Sequence, residues 1–269
     1  MGDAATGRRP PALSRVVLRD AAMFVLLVAA LSWLMIRSTE NLGYNWQWYQ
    51  VPRYLYTVVD GHFAAGPLLQ GLAVTLQICG VSFVLAFVVG LVTALFRLSG
   101  SPVAGGVARV YLETIRNTPL LTQLFFMYFV FAPILGLDAW TSAILSLSLF
   151  EGAYASEIFR AGILSVERGQ WEAARSLGMS RAIMYRHIIL PQALRRILPP
   201  LTGQGVSLIK DSALVSTIAI YDLTMRGQAI IAETFLTFET WFTVAAIYLV
   251  LTVGLSALVS ILEKRLNPA

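Results

Sequence analysis

Five residues with chemistry to offer lie in otherwise apolar stretches of this chain: Glu151, Glu157, Ser207, Lys210 and Asp211. A charge in hydrocarbon is costly, so such residues turn toward protein, water or an opposite charge. Lys210 and Asp211 are sequence neighbours, and adjacent helical residues do not face one another. Glu151 and Glu157 are therefore the expected partners of Lys210. Two readings stay open: interior ion pairs that fix helix packing, or charges lining a route for a zwitterionic solute. Metal chemistry has little support. His62 and His187 are far apart in sequence and lack thiolates or carboxylates at ligand spacing. The single cysteine, Cys79, excludes an intramolecular disulfide and reads as a small packing group.

The elements that must position these groups are long apolar runs. Hydrophobic residues make up 57% of the 269 residues and charged ones 13%, about half the charged share of an ordinary soluble domain. The runs predict an all-α integral membrane protein with about six spans: 21–36, 67–96, 119–137, 139–159, 199–220 and 240–262. With the N-terminus in the cytoplasm, 16 of the 20 Lys and Arg fall on the cytoplasmic side; Arg37, Arg53 and Arg226 fall outside and Lys210 within a span. That asymmetry predicts an N-in, C-in arrangement. The net charge of +5 does not point to nucleic acid, because the basic residues sit at the ends of apolar runs rather than in one patch. The first run resembles a signal peptide in its basic start, but it ends in the bulky Trp33-Leu34-Met35-Ile36 and is expected to be a retained anchor. Trp46, Trp48, Tyr49, Tyr54 and Tyr56 are expected to form an interfacial belt. Gly71, Gly80 and Gly90 are expected to permit close helix packing. The fifth run carries Thr202, Gln204, Ser207, Lys210, Asp211, Ser212, Ser216 and Thr217, so it is expected inside the bundle. Pro199 and Pro200 suit its first turn.

The longest cytoplasmic connection, 161–198, reads as two short helices. Val166, Ala173, Ala174 and Leu177 follow helical spacing as one apolar face. Gly178 suits a left-handed helix stop. Ser180 is a candidate cap for the second helix, and Pro191 marks its end. Arg168, Arg175, Arg181 and Arg186 surround the pair. An amphipathic hairpin on the anionic inner leaflet is one reading; a docking knob for a cytoplasmic protein is the other.

A resemblance favours the second. Glu172-Ala173-Ala174, three residues, Gly178, nine residues, Ile188, one residue, then Leu190-Pro191 resembles the coupling motif of ABC importer permeases. Arg116-Asn117-Thr118-Pro119-Leu120-Leu121 with Gln123, Gly152-Ala153-Tyr154 with Glu157 and Arg160, and Leu208-Ile209-Lys210-Asp211-Ser212 resemble the polar amino-acid uptake permeases (histidine, glutamine, glutamate and basic amino-acid type). The likeness runs from about Gly66 to Glu263.

The resemblance implies a type I ABC importer permease core of five helices behind an added anchor. The expected organisation is an N-terminal region 1–65, a transmembrane domain 66–263 and a tail 264–269. It also implies cytoplasmic ATPase subunits, a second permease (a copy or a relative), an extracytoplasmic amino-acid-binding protein and membrane lipids as partners, in the inner membrane of a bacterium. Glu172, Ala173, Ala174, Arg175, Gly178, Ile188, Leu190 and Pro191 would couple to the ATPase. The chain itself lacks a Gly-rich run ending in Gly-Lys-Ser/Thr, so ATP is expected to bind a partner, with no cofactor or enzyme site here. A secondary transporter or channel working without an ATPase would need no coupling segment, and neither would a structural scaffold.

Overall fold

The computed structural model describes residues 13–41, 43–59 and 61–266. They fall into two compact units, 1–47 and 48–269. The first contains helix α1 (Leu13–Asn41). Its apolar side chains, including Phe24, Leu26 and Leu31, are exposed. A helix apolar all round belongs in a membrane or a core. Its N-terminal approach, 1–12, lies outside the described residues.

The second unit is a helical bundle with one small hairpin. A single helical turn, α2 (Pro52–Leu55), leads into the antiparallel strands β1 (Tyr56–Val59) and β2 (His62–Ala65). The fold is therefore mostly helical rather than purely so. Gly66 enters α3 (Pro67–Leu98) beside the Tyr54 carbonyl, where a side chain would collide with backbone. The aromatic belt is divided by this hairpin. Tyr56 stacks on Phe63 across the strands at 6.0 Å between ring centroids, while Tyr54 is half-buried against Leu68 and Leu223.

Helix α4 (Pro102–Arg116) follows, then α5 (Leu120–Leu135), bent 106° from it, then α6 (Ala139–Leu164). Helix α4 lies in a stretch where the apolar runs predict no element. Its start is nonetheless written locally: the Ser101 hydroxyl accepts from the Ala104 amide and Pro102 occupies the first turn. Helix α6 starts in the same way, with the Asp138 carboxylate accepting from the Thr141 amide; these bonds hold Asp138 below the usual carboxylate range.

Next come α7 (Arg168–Ser176) and α8, which runs continuously over 181–211 with a wider turn at Tyr185–Ile189. This corrects two expectations. Pro191 does not end the second short helix; it lies in the first turn after the wide segment, where the loosened ladder needs no donor from it. Pro199 and Pro200 lie inside α8 rather than opening a span. Helix α8 gives way to a tight 3-10 segment, Ser212–Ile218, then α9 (Leu223–Thr234) and α10 (Thr237–Leu266). Helix α9 falls where a loop was expected, though Asp222 caps it by accepting from the Met225 amide.

By length and composition, Pro67–Leu98 and Thr237–Ile261 are long and apolar enough to cross a membrane, and the bent α4–α5 pair is a third if counted as one span. Helix α6 is more polar because it is the centre of the bundle, with Ser142, Ser146, Ser148, Glu151 and Ser156 all buried. It packs along α3 through small residues. A methyl group on Gly90 would come 2.7 Å from Ala155 Cβ and 3.0 Å from the Gly152 carbonyl oxygen. Gly71 is likewise pressed against the Asp222 backbone, but Gly80 faces open space and serves no such contact.

Candidate functional site

The segment between α6 and α8 forms a compact knob at one end of the bundle. Trp171 and Ala174 point inward from α7, and Ala174 is fully buried with Val166, Met184 and Ile189. Trp171 also donates to the Val166 carbonyl at 3.3 Å and meets Tyr185 edge-on, their centroids 5.4 Å apart. A guanidinium–carbonyl bond from Arg196 to Ser165 ties α8 to the end of α6. The knob thus shares one core with Ala94 of α3, Phe159 and Ile163 of α6 and Ile197 of α8, and is not a loose loop.

Helix α7 ends as the sequence predicts. Gly178 adopts φ +69°. Its amide donates to the Arg175 carbonyl at 2.9 Å, and the Met179 amide donates to the Ala174 carbonyl at 3.1 Å. This double bond pattern with a left-handed residue is the Schellman stop. The Ser180 hydroxyl then accepts from the Ile183 amide and starts α8.

The two alanines separate in role. Ala173 and Ala174 were expected to approach a partner together, but helical neighbours point about 100° apart. Ala174 seals the knob's interior, and Ala173 is exposed beside Glu172 and Arg175. The expected apolar face also divides. Val166 and Ala174 are buried, whereas Leu177 is 78% exposed. The outward surface is therefore Glu172, Ala173, Arg175 and Leu177, with exposed Leu190 and Pro191 on α8 and Ile188 half-buried between.

The charges of the fourth and fifth apolar runs pair differently from the expectation. Lys210 is exposed and makes no ion pair among the described residues. Glu157 instead gathers three arginines. Arg97 from α3 bonds Oε1, Arg116 from α4 reaches the same oxygen at 3.2 Å, and Arg160 reaches Oε2 at 3.1 Å. Neither Arg97 nor Arg116 is near Glu157 in sequence, so only the tertiary fold could assemble this fan. Glu151 is 1% exposed and accepts from the Gln204 amide of α8, leaving Oε1 without a hydrogen-bond partner. Asp211 is its electrostatic neighbour, and Ser207 is half-buried on the same helix.

One further polar group escaped the sequence reading as a site residue. Gln123 donates to the carbonyls of Ile115 and Thr118 at 2.7 and 3.0 Å, while its own Oε1 is buried without a partner. It borders a cavity of about 390 Å³ shared with Thr118, Phe126, Ser146 and Leu149. The bent α4–α5 junction forms this cavity, and apolar periodicity carries no signal for it.

Residues 86–268 match the family described as binding-protein-dependent transport system inner membrane component. A glutamine transport system permease protein of Escherichia coli (strain K12) is 40% identical over 203 residues, 74% of this chain and 93% of its own length. An L-cystine transport system permease protein of Bacillus subtilis (strain 168) is 40% identical over 204 residues, covering 75% and 87%. A chain from the crystal structure of an amino acid ABC transporter with histidines superposes with TM-score 0.70 at 39% identity, over 74% of this chain and 94% of that one. A methionine ABC transporter in an inward-facing conformation shares the fold at 19% identity, with TM-score 0.66 over 75% of this chain and 96% of that one. The family match falls on the part of the chain that contains the knob, the Glu157 fan and the Glu151 cluster, and the chain belongs to the binding-protein-dependent transport system inner membrane components.

Proposed function

We propose that this chain is the membrane-spanning subunit of an ATP-driven importer of polar amino acids in a bacterial inner membrane, coupled to separate ATPase subunits through residues 168–191. The observation that carries the reading is the knob. Its alanine–glycine motif stands at full spacing, its inner half packs into the shared core, and its outer half exposes Glu172, Ala173, Arg175 and Leu177. A rigid knob transmits force between subunits, where a loose loop would absorb it. The relatives named as glutamine and cystine permeases support amino acids as the cargo.

In this reading six helices cross the membrane with both termini inside, so the knob end of the bundle is cytoplasmic. A second permease, identical or related, completes the pathway, and an extracytoplasmic binding protein delivers the solute. ATP binds the partner subunits, and no cofactor belongs to this chain. ATP binding biases inward- against outward-open states only through a contact whose free energy differs between them. Glu172 and Arg175 would supply that contact with charge, and Ala173 and Leu177 with close approach. Within the bundle, Glu151, Gln204, Ser207 and Asp211 offer a polar stripe along α6 and α8 for a zwitterion.

The test is ATPase activity in vesicles that contain the chain with its ATPase and binding protein, assayed over a panel of polar amino acids. Stimulation by a loaded binding protein, lost in Glu172→Lys with Gly178→Val, is the expected result. Amino-acid flux that needs no ATPase and ignores both substitutions would overturn the reading.

A further inference from the structure

Around the Glu157 fan lies a second polar feature, apart from the coupling surface and the Glu151 stripe of the proposed function. A cavity of about 490 Å³ opens between α4 and the ends of α3 and α6. Arg97, Arg109, Arg116 and Arg160 line it, with Glu113 and Glu157 as the acidic residues. Four guanidinium groups against two carboxylates leave a surplus of two positive charges.

The hydrogen-bond count is more lopsided than the charge. Each guanidinium carries five N–H donors, whereas a carboxylate offers about four acceptor positions. Three arginines therefore saturate Glu157 with most of their donors unspent. Glu113 is engaged by Asn117 at 2.9 Å. Arg109 is exposed and makes no ion pair or hydrogen bond among the described residues. The side chains of the fan are between 27% and 42% exposed, so a visiting anion can reach them.

One stretch of the cavity wall, a turn before Arg109 on α4, carries no side chains. Gly105 and Gly106 sit side by side in α4 and line the cavity. Adjacent glycines weaken a helix interior. Packing does not require them, because a methyl group on either would meet nothing within 4 Å. They leave room for a ligand rather than for a neighbouring helix.

The flank of α4 indicates which ligand. Val103, Val107 and Val110 recur at helical spacing and are 77%, 56% and 68% exposed. A helix with an apolar stripe beside a basic slot suits the boundary between headgroups and acyl chains. A soluble phosphate would need the slot but not the stripe.

We propose that this slot binds the headgroup phosphate of an anionic phospholipid in the leaflet on the knob side, with Arg109 as the free anchor, Arg97, Arg116 and Arg160 as shared donors, and the Gly105–Gly106 wall as the seat. On the topology given above, that leaflet is the cytoplasmic one. Lipid binding would then bridge α4 to the end of α3, where Leu98 packs against the core that supports the knob.

The test is a binding measurement that needs neither transport nor ATP, so its outcome is separate from that of the functional reading. The full-length chain with its ATPase partner, in a neutral detergent, is titrated with short-chain phosphatidylglycerol, short-chain phosphatidylcholine or inorganic phosphate, and bound ligand is counted by native mass spectrometry. Phosphatidylglycerol is expected to bind at least about ten-fold more tightly than phosphatidylcholine, and Arg109→Gln to remove about ten-fold of that affinity, the value of one charge-assisted hydrogen bond. Gly106→Leu is expected to abolish binding by filling the slot. Arg109 is exposed and makes no ion pair or hydrogen bond among the described residues, and a Cβ at 106 meets nothing within 4 Å, so both variants should fold. Equal binding of the two lipids, indifference to both substitutions, or competition by inorganic phosphate as effective as the lipid would each overturn the proposal.

Discussion

Gly178 offers the sharpest test of how the knob works. Its φ of +69° is held by two hydrogen bonds that close α7 and set the direction of α8. A Cβ there would meet no neighbouring atom within 4 Å, so alanine clashes with nothing in the chain and its cost is conformational. Left-handed backbone costs an ordinary residue about 1–2 kcal/mol, less for Asn and more for a β-branched residue. If the knob relieves that strain by swinging out of its native angle, the docked geometry loses about 5- to 30-fold in population for Ala. Substrate-stimulated ATPase activity in vesicles should then fall in the order Gly, Asn, Ala, Val, with equal amounts of protein in the membrane. The order discriminates between causes. Asn is larger than Ala but tolerates the backbone better. If Asn proves worse than Ala, the partner's surface rather than the backbone angle sets the requirement. Wild-type stimulation in the Val variant would refute the argument altogether.

Three further predictions concern the scaffold. Gly90→Ala and Gly162→Ala should each lower the melting temperature in detergent. The first collides with the Ala155 methyl and the Gly152 backbone, and the second drives a methyl into Ile197 Cγ1; Ile197→Ala, which removes that atom, should restore part of the loss at 162 and none of the loss at 90, and equal behaviour of the two sites would contradict this. Glu157→Ala should destabilise the chain by about 1–3 kcal/mol, toward the lower end because the group is 27% exposed, since three guanidinium groups lose their shared acceptor; an unchanged denaturation midpoint would show that the fan is surface decoration. Asp222→Ala should cost about 1–2 kcal/mol by removing the cap of α9, and Asp222→Asn should cost less because its side-chain oxygen still accepts from the Met225 amide; thermal unfolding monitored by circular dichroism would separate the two.

Much of the chain's organisation is legible in its sequence. Apolar runs located α3 and α10, because a lipid-facing helix must be apolar wherever it lies in the fold. The stop at Gly178 and the cap at Ser180 were legible because such signals act over three or four residues. The same local chemistry marked the starts of α4 and α9 through Ser101 and Asp222, but neither helix lies in a long apolar run, and such runs alone announced the expected spans. The prolines misled, since Pro191, Pro199 and Pro200 resemble boundaries while the structure carries a helix through all three. A wide turn at Tyr185–Ile189 loosens the ladder just before the first of them. The partners of the charges lay beyond sequence reasoning entirely. Composition required Glu151, Glu157 and Lys210 to avoid lipid but could not assign their neighbours. Arg97 and Arg116 reach Glu157 across 60 and 41 residues, Gln204 reaches Glu151 across 53, and Lys210 finds neither. Local signals depend on backbone groups a turn apart and are written in the sequence. An ion pair depends on which helix faces are turned together, and that is decided by contacts such as Gly90 against Ala155, which exist only once α3 and α6 have packed.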